Sequence, residues 1–444
     1  MNEIRVSLDR PVGRNIKPMH AVNNGPVYKF AVDQRITNID YFREAGIPYA
    51  RNHDAAFYST YGGEHTVDVA NIFTDFDADP EDPAAYDFAM TDEYLRVCEY
   101  AGVRTYYRLG NKIEHGIKKY GTLPPKDFKK WAVICEHIIR HYTEGWASGF
   151  RYDIEYWEIW NEPDLDPDDS THKRTWGGTK AQFFDLYEIA AKHLKSCFPH
   201  LKIGGPALAH SMDWAERFLA QLKAPLNFFS WHIYASKPEV IAEKTRAVRA
   251  LLDKYGFGET ESILNEWNFV KGWSGDTWIY SLKCEKNMVG AAFIASTMTL
   301  EQKEALDMLM YYDARPCGMN GMFKTDNVSE CLKGYYPFKA FNELYKLGVE
   351  VEASASEGFY ALAAEKDGNA ALMLTRFAEE GECERARLEL SGMDASAPVK
   401  VEYYRLDDAH DLVLVREDIF AAASFATYLD FAYSSMYLVK ITRV

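Results

Sequence analysis

Residues 154–164 read IEYWEIWNEPD. The apolar and aromatic run at 154–160 stops at Asn161-Glu162-Pro163, so a strand ends there with an acid at its carboxyl end. Seven further short runs of the same texture flank it in the chain. One ends near His20, and the others are 47–53, 103–109, 201–206, 228–234, 262–267 and 307–313. Longer segments with apolar residues at helical spacing separate them. Eight parallel strands with crossing helices close into a (β/α)8 barrel over 16–350. An open doubly wound sheet needs a switch point and usually a phosphate loop, and neither G-x-G-x-x-G nor a Walker sequence is present.

The clearest helix is 125–142, with Phe128, Trp131, Ala132, Cys135, Ile138, Ile139 and Tyr142 on one face. His137 and His141 fall opposite that stripe and lack the H-E-x-x-H glutamate, so a solvated face is expected there rather than a metal pair. Capping boxes at Thr179–Gln182 and Ser236–Glu239 predict two further helix starts. Beyond residue 350 the texture changes to short strands at 359–364, 370–377, 399–405 and 434–442. Residues 351–444 carry 9 basic against 17 acidic residues, half of the chain's net charge of -16. A β-sandwich-like accessory domain is expected over 351–444, which the strand-like segment 1–15 is placed to complete.

At 444 residues, 47% hydrophobic and 26% charged, the chain suffices for one barrel and an added module. The negative charge repels phosphate backbones and anionic lipid, which disfavours nucleic-acid and membrane partners. Seven cysteines without C-x-x-C indicate neither a disulfide framework nor a zinc ribbon, and reduced thiols in a cytoplasmic protein are expected. Met1-Asn2-Glu3 leads straight into Ile4, Val6 and Leu8, with no leader pattern.

In such a barrel, chemistry gathers at the carboxyl ends of the strands. Glu162 follows the fourth strand and Glu266 ends the seventh, in ILNEWNF. These strands lie roughly opposite, so both carboxyls can flank a bond between two sugar rings. Glycoside hydrolysis needs one carboxyl protonated and the other ionised. Desolvation beside Trp160 and Pro163 suits Glu162 to be the acid, while Arg51 and His53 after strand 2 and Tyr234 after strand 6 are available to hold Glu266 ionised. Gly272-Trp-Ser274-Gly-Asp276 misses the last glycine of a G-x-S-x-G elbow, and the acidic run Asp164, Asp166, Asp168 and Asp169 lacks calcium-loop spacing and reads as a solvated loop.

WNEP at 160–163 with Glu266 about a hundred residues on resembles the clan of retaining glycosidases on (β/α)8 barrels. YGGEHTVDVANIFTDFDADPEDPAAYDF at 61–88 and Arg51-x-His53 are similar to glycoside hydrolase family 39, which includes β-xylosidases and α-L-iduronidases. The resemblance implies Glu162 as acid/base, Glu266 as nucleophile, and Asn161 as donor to the sugar 2-hydroxyl. It also implies that Tyr234 steadies the nucleophile and His232 the acid/base, with net retention and no metal or organic cofactor. Oligosaccharides or glycosides would be the substrates, and homo-oligomers occur in the family.

Trp267-Asn268-Phe269 after the nucleophile looks closer to the β-xylosidase pattern, favouring a neutral xylosyl, arabinosyl or hexosyl unit over a uronic acid. A uronate would need a cation, for which Lys271, Arg108 and Arg315 are the candidates. Among aromatics, Trp267 is the expected sugar platform, with Tyr107, Trp160 and Trp273 as further candidates and Trp231 assigned to the core. Asn111, Glu114 and Asp313 are added as subsite candidates. The rival readings are an iduronidase-like enzyme, a non-catalytic carbohydrate-binding barrel and a metal-dependent barrel hydrolase.

Overall fold

A computed structural model describes residues 2–28, 37–59 and 62–444; Tyr61, which opens the 61–88 segment, lies outside them. All eight predicted strand runs are present. They are β1 (Ala21–Asn23), β2 (Tyr49–Arg51), β3 (Arg104–Leu109), β4 (Tyr156–Ile159), β5 (Lys202–Leu208), β6 (Phe228–Ala235), β7 (Glu261–Phe269) and β8 (Met308–Tyr311). They pair in parallel and in chain order, with β8 returning to β1 to close the barrel.

Side-chain alternation explains what fills the barrel. Ala21, Tyr49, Tyr106, Tyr156, Phe228, Ile263, Met308 and Met310 pack together as a separate apolar cluster inside it. Their outward neighbours, such as Tyr107, Trp157, Phe229 and Leu264, join the larger core beneath the helices. Above the inner cluster lies a charged layer of Asn23, Arg51, Glu158 and Asn265, all fully buried. Arg51 donates to Glu158 at 2.7 Å and to Asn23 at 3.1 Å, and Asn265 donates to Glu158 at 2.5 Å. Buried charges endure when paired and hydrogen-bonded in this way.

The helix read as 125–142 spans Phe128–Thr143, capped by Asp127. Its histidines correct the sequence reading, because both are buried. His141 stacks on Phe88 with centroids 3.6 Å apart and bonds Asp92, while His137 packs on Trp146. The loop aromatics Phe88 and Trp146 cover a face that looked solvent-directed. Thr179 and Gln182 form the predicted capping box of Lys180–Cys197. The second box is absent: Pro238 opens that helix and Lys237 is its N-cap without a side-chain bond.

A second sheet of nine strands contains the C-terminal strands, and strand Asn2–Asn15 runs within it, antiparallel to Val349–Ala355 and parallel to Glu384–Ser391. Its own apolar core includes Ile4, Val6, Leu388, Val401 and Val439. The seven cysteines are free thiols, with Cys383 exposed. No helix among the described residues is long and apolar enough to cross a membrane.

Candidate active site

The chain leaves β4 under restraint. Trp160 donates its backbone N–H to Leu109 at 2.6 Å, and Glu162 donates to Ala207 at 2.9 Å, so the segment stays tied to both neighbouring strands. Trp160 and Glu162 have φ of 74° and 49°, left-handed values that cost non-glycine residues on the order of 1–3 kcal/mol each. With that twist the Trp160 indole is buried and donates to Thr175 O at 2.9 Å, while the Glu162 carboxyl meets His232.

A register shift on β7 aims the second acid. Leu264 pairs with Trp231 but Glu266 pairs with His232, so Asn265 is an extra residue. Such a bulge resets the alternation and re-aims the residue after it. Leu264 and Trp231 face the helices, whereas Glu266 and His232 face inward together.

His232 Nδ1 lies 2.8 Å from Glu162 Oε1 and 3.5 Å from Glu266 Oε2. The ligand-type atoms of Glu162, His232 and Glu266 all fall within 4.8 Å of one another. Glu266 accepts from Arg51 at 2.7 Å and from Tyr234 Oη at 2.8 Å. Asn161 Oδ1 accepts from Arg51 at 2.6 Å, which directs its amide nitrogen away as a donor.

The two acids differ electrostatically. Burial, then Asp164, pushes the Glu162 carboxyl up to about 8. Burial also raises Glu266, but His232 and Arg51 oppose the rise. Burial lowers His232 to about 4, leaving a neutral imidazole between them. At neutral pH this favours a protonated Glu162 facing an ionised Glu266. The same three side chains have a metal-ligand outline, but the buried Arg51 guanidinium already supplies the positive charge in contact with Glu266.

Several of the residues expected to touch sugar take other places. Trp267 is fully buried against Phe293 and Tyr311, and Tyr107 is fully buried against Trp157, so both are core and neither is a platform. Trp231 is core, as expected. Trp273 is exposed, 60% accessible, and packs edge-on against Tyr234 at 5.0 Å. His53 turns to Asp54, with Nε2 3.8 Å from Oδ1, and not to Glu266. Asp313 is buried and accepts from Asn24 at 2.8 Å and from the Arg315 backbone at 2.6 Å, which fixes its loop.

Glu114 accepts from the backbone of Tyr120, Gly121 and Thr122, and Asn111 bonds Ala70 and Gly121, so both are loop braces. The acidic run is not wholly solvated: Asp164 accepts three backbone N–H groups at Ala209, His210 and Ser211, and Asp166 pairs with Arg174 at 2.7 Å.

Sequence reasoning missed Glu158, Asn23, Asp54 and Tyr312. Asp54 accepts from Tyr312 Oη at 2.6 Å and has Arg315 at 3.7 Å. Burial raises Asp54, but His53, Arg315 and His65 outweigh that and hold it well below the usual carboxylate range. Glu158 did carry a signal, because a charge centred in WEIW on an inward position requires a buried partner.

Fold and site together define a (β/α)8 barrel with two unlike carboxyls facing each other across its carboxyl-end mouth. The sequence profile of Glycosyl hydrolases family 39 matches residues 64–263. Over those residues the chain resembles that family. It is 28% identical over 237 residues to a β-xylosidase of Geobacillus stearothermophilus, a match covering 45% of this chain and 44% of that protein. Less than half of that relative's length is therefore spanned. Two solved structures align along the whole fold. A glucosidase from Croceicoccus marinus has a TM-score of 0.80 at 23% identity, covering 100% of this chain and 99% of that one. A monomeric β-xylosidase from Caulobacter crescentus CB15 has a TM-score of 0.73 at 15% identity, covering 99% of each.

Proposed function

We propose that the protein is a retaining glycosidase that releases neutral glycosyl units, of xylosyl, arabinosyl or hexosyl type, from oligosaccharides or glycosides by double displacement. The observation that carries this reading is the carboxyl separation: oxygens of Glu162 and Glu266 within 4.8 Å suit the close pair of a retaining enzyme, about 5 Å apart, better than the about 6.5–9.5 Å of an inverting one. Glu162, protonated at neutral pH, gives its proton to the leaving oxygen. Glu266, held ionised by Arg51 and Tyr234, attacks the anomeric carbon to form a glycosyl-enzyme ester. Glu162, now a carboxylate, then takes a proton from water as that water opens the ester. Asn161 offers its amide nitrogen to the 2-hydroxyl, and His232 holds the Glu162 carboxyl in place.

The neutral sugar is favoured over a uronate by the fate of the candidate cations. Arg108 is paired with Asp68 at 2.6 Å, Lys271 with Glu379 at 2.7 Å, and Arg315 lies between Asp313 at 3.3 Å and Asp54 at 3.7 Å. A uronate carboxylate would have to displace one of these acids. The β-xylosidase relative supports a xylosyl unit among the neutral choices.

A chromogenic panel of β-xylosides, β-glucosides, α-L-arabinosides, β-galactosides and α-L-iduronides, run beside Glu162→Gln, tests the assignment. Turnover of a neutral glycoside, lost in the variant for a poor leaving group, is expected. Turnover confined to the iduronide would overturn the neutral-sugar reading.

A further inference from the structure

Away from the barrel mouth, three donors of different chemistry converge between two outer helices. Helix Phe128–Thr143 presents Glu136, and helix Lys180–Cys197 presents His193 and Cys197, one turn apart on the same face. Glu136 Oε2 lies 2.6 Å from His193 Nε2, His193 Nε2 lies 3.9 Å from Cys197 Sγ, and all three donor atoms fall within 4.8 Å of each other. Arg140 donates to the other Glu136 oxygen at 2.8 Å, which fixes the carboxylate with Oε2 turned to the histidine. All three residues are half-buried, so an ion can arrive from solvent.

We propose that Glu136, His193 and Cys197 form a binding site for a borderline-soft divalent cation of the zinc class, completed by water. The donor set decides the class. A thiolate and an imidazole select zinc or cobalt over magnesium or calcium, which take oxygen ligands. Bond lengths of about 2.0 Å to N and O and 2.3 Å to S put tetrahedral donors roughly 3.3–3.5 Å apart. The Glu136–His193 contact must open and Cys197 must close by well under a rotamer change. Burial and the Glu136 carboxylate push the Cys197 thiol up, so binding exchanges the thiol proton for the metal: the S–H bond breaks, an S–metal bond forms and one proton goes to solvent. Cys197 also ends its helix, where the backbone dipole favours positive charge.

The place in the fold indicates what the ion does. Helix Lys180–Cys197 runs back from the mouth, and its end leads into the start of β5 at Lys202. The cation therefore sits toward the amino-end face of the barrel, where it joins the helices after β3 and β4 and acts on stability rather than on turnover.

Cobalt(II) titration of the full chain reads the site directly. One equivalent should give a thiolate-to-cobalt charge-transfer band with intense tetrahedral d–d bands, displaced by zinc. The charge-transfer band should vanish in Cys197→Ser, and cobalt affinity should fall about tenfold or more in His193→Asn and Glu136→Gln. Zinc should raise the melting temperature of the parent and not of Cys197→Ser. No thiolate band, a band that persists in Cys197→Ser, or an affinity unchanged in the other two variants would overturn the proposal. Glu266→Gln should retain the band, which separates this site from the acid pair at the mouth.

Discussion

Arg51 and Glu266 meet in a salt bridge of 2.7 Å with the guanidinium wholly inaccessible to solvent. The same guanidinium grips Glu158 and orients Asn161, so one side chain joins the barrel's charged layer to both ends of the proposed reaction. Lysine keeps the charge but loses the planar fork. Arg51→Lys should lower kcat/KM by about 10²-fold, the cost of a small misplacement of reacting groups. Stability should fall by several kcal/mol, toward the ~3–5 kcal/mol of a broken buried pair. Steady-state kinetics with urea melts would check both, and a variant with parental kinetics would remove Arg51 from the mechanism.

Glu266→Ala should abolish turnover of an aryl glycoside by about 10⁴-fold or more. Added azide should restore product of inverted configuration, because it enters from the face the carboxylate vacates. Glu162→Ala on an activated substrate should instead give an azide adduct of retained configuration. Product anomers read by NMR decide the case, and the opposite pairing of variants and configurations would exchange the two roles.

Trp273 and Trp267 should part company on truncation. Trp273 is exposed beside Tyr234, whereas Trp267 is sealed against Phe293 and Tyr311. Trp273→Ala should raise KM with little change in melting temperature. Trp267→Ala should cost about 3–5 kcal/mol of stability. A destabilised Trp273→Ala with unchanged KM would show that the rim aromatic does not meet substrate.

The contrast between these tryptophans shows what the sequence could reveal. Strand order was legible because each run has its own alternation and turn-rich ends; Glu162 stood just past one of those ends, whereas Glu266, read as ending the seventh strand, lies within it, three residues before Phe269. Trp267 was misread by adjacency: once Glu266 faces inward, period two sends its neighbour outward, so alternation alone was enough to place it. The bulge at Asn265 left no such signal, nor did the aromatic cover over His137 and His141, which comes from Phe88 and Trp146 outside the helix. Asp54 and Tyr312 meet across 258 residues, a pairing that only closure of the barrel creates.

Asp54 and Arg315 offer a test of the sugar's charge. If their pairing keeps Arg315 from a uronate, Asp54→Asn should weaken that hold and leave the guanidinium freer. The variant should lose activity on neutral glycosides and gain relative activity, or inhibition, with α-L-iduronides and free uronates. Competition assays on parent and variant measure this, and equal uronate inhibition of the two would deny Arg315 the part.

The pH dependence follows from Glu162, whose carboxyl burial lifts to about 8. As the acid, its ionisation should bring kcat/KM down above about pH 8. The rising limb should belong to Glu266 and lie above the ordinary carboxylate range of about 4.3, since burial raises that group too. The two titrate as a coupled pair, so the limbs report the pair. Stability has a definite sign. Between about 4.3, where the unfolded carboxyl ionises, and about 8, the folded state holds a proton that the unfolded state has released. The contribution is full below the lower value and is lost as pH rises through the upper one. Glu162→Gln is neutral throughout and escapes that loss. Its stability relative to the parent should grow with pH across this window and level off above it. Urea melts of both proteins from about pH 5 to 9 read the difference, and a stability of Glu162→Gln relative to the parent that stays flat, or falls with rising pH, would mean that Glu162 is not held protonated by the fold.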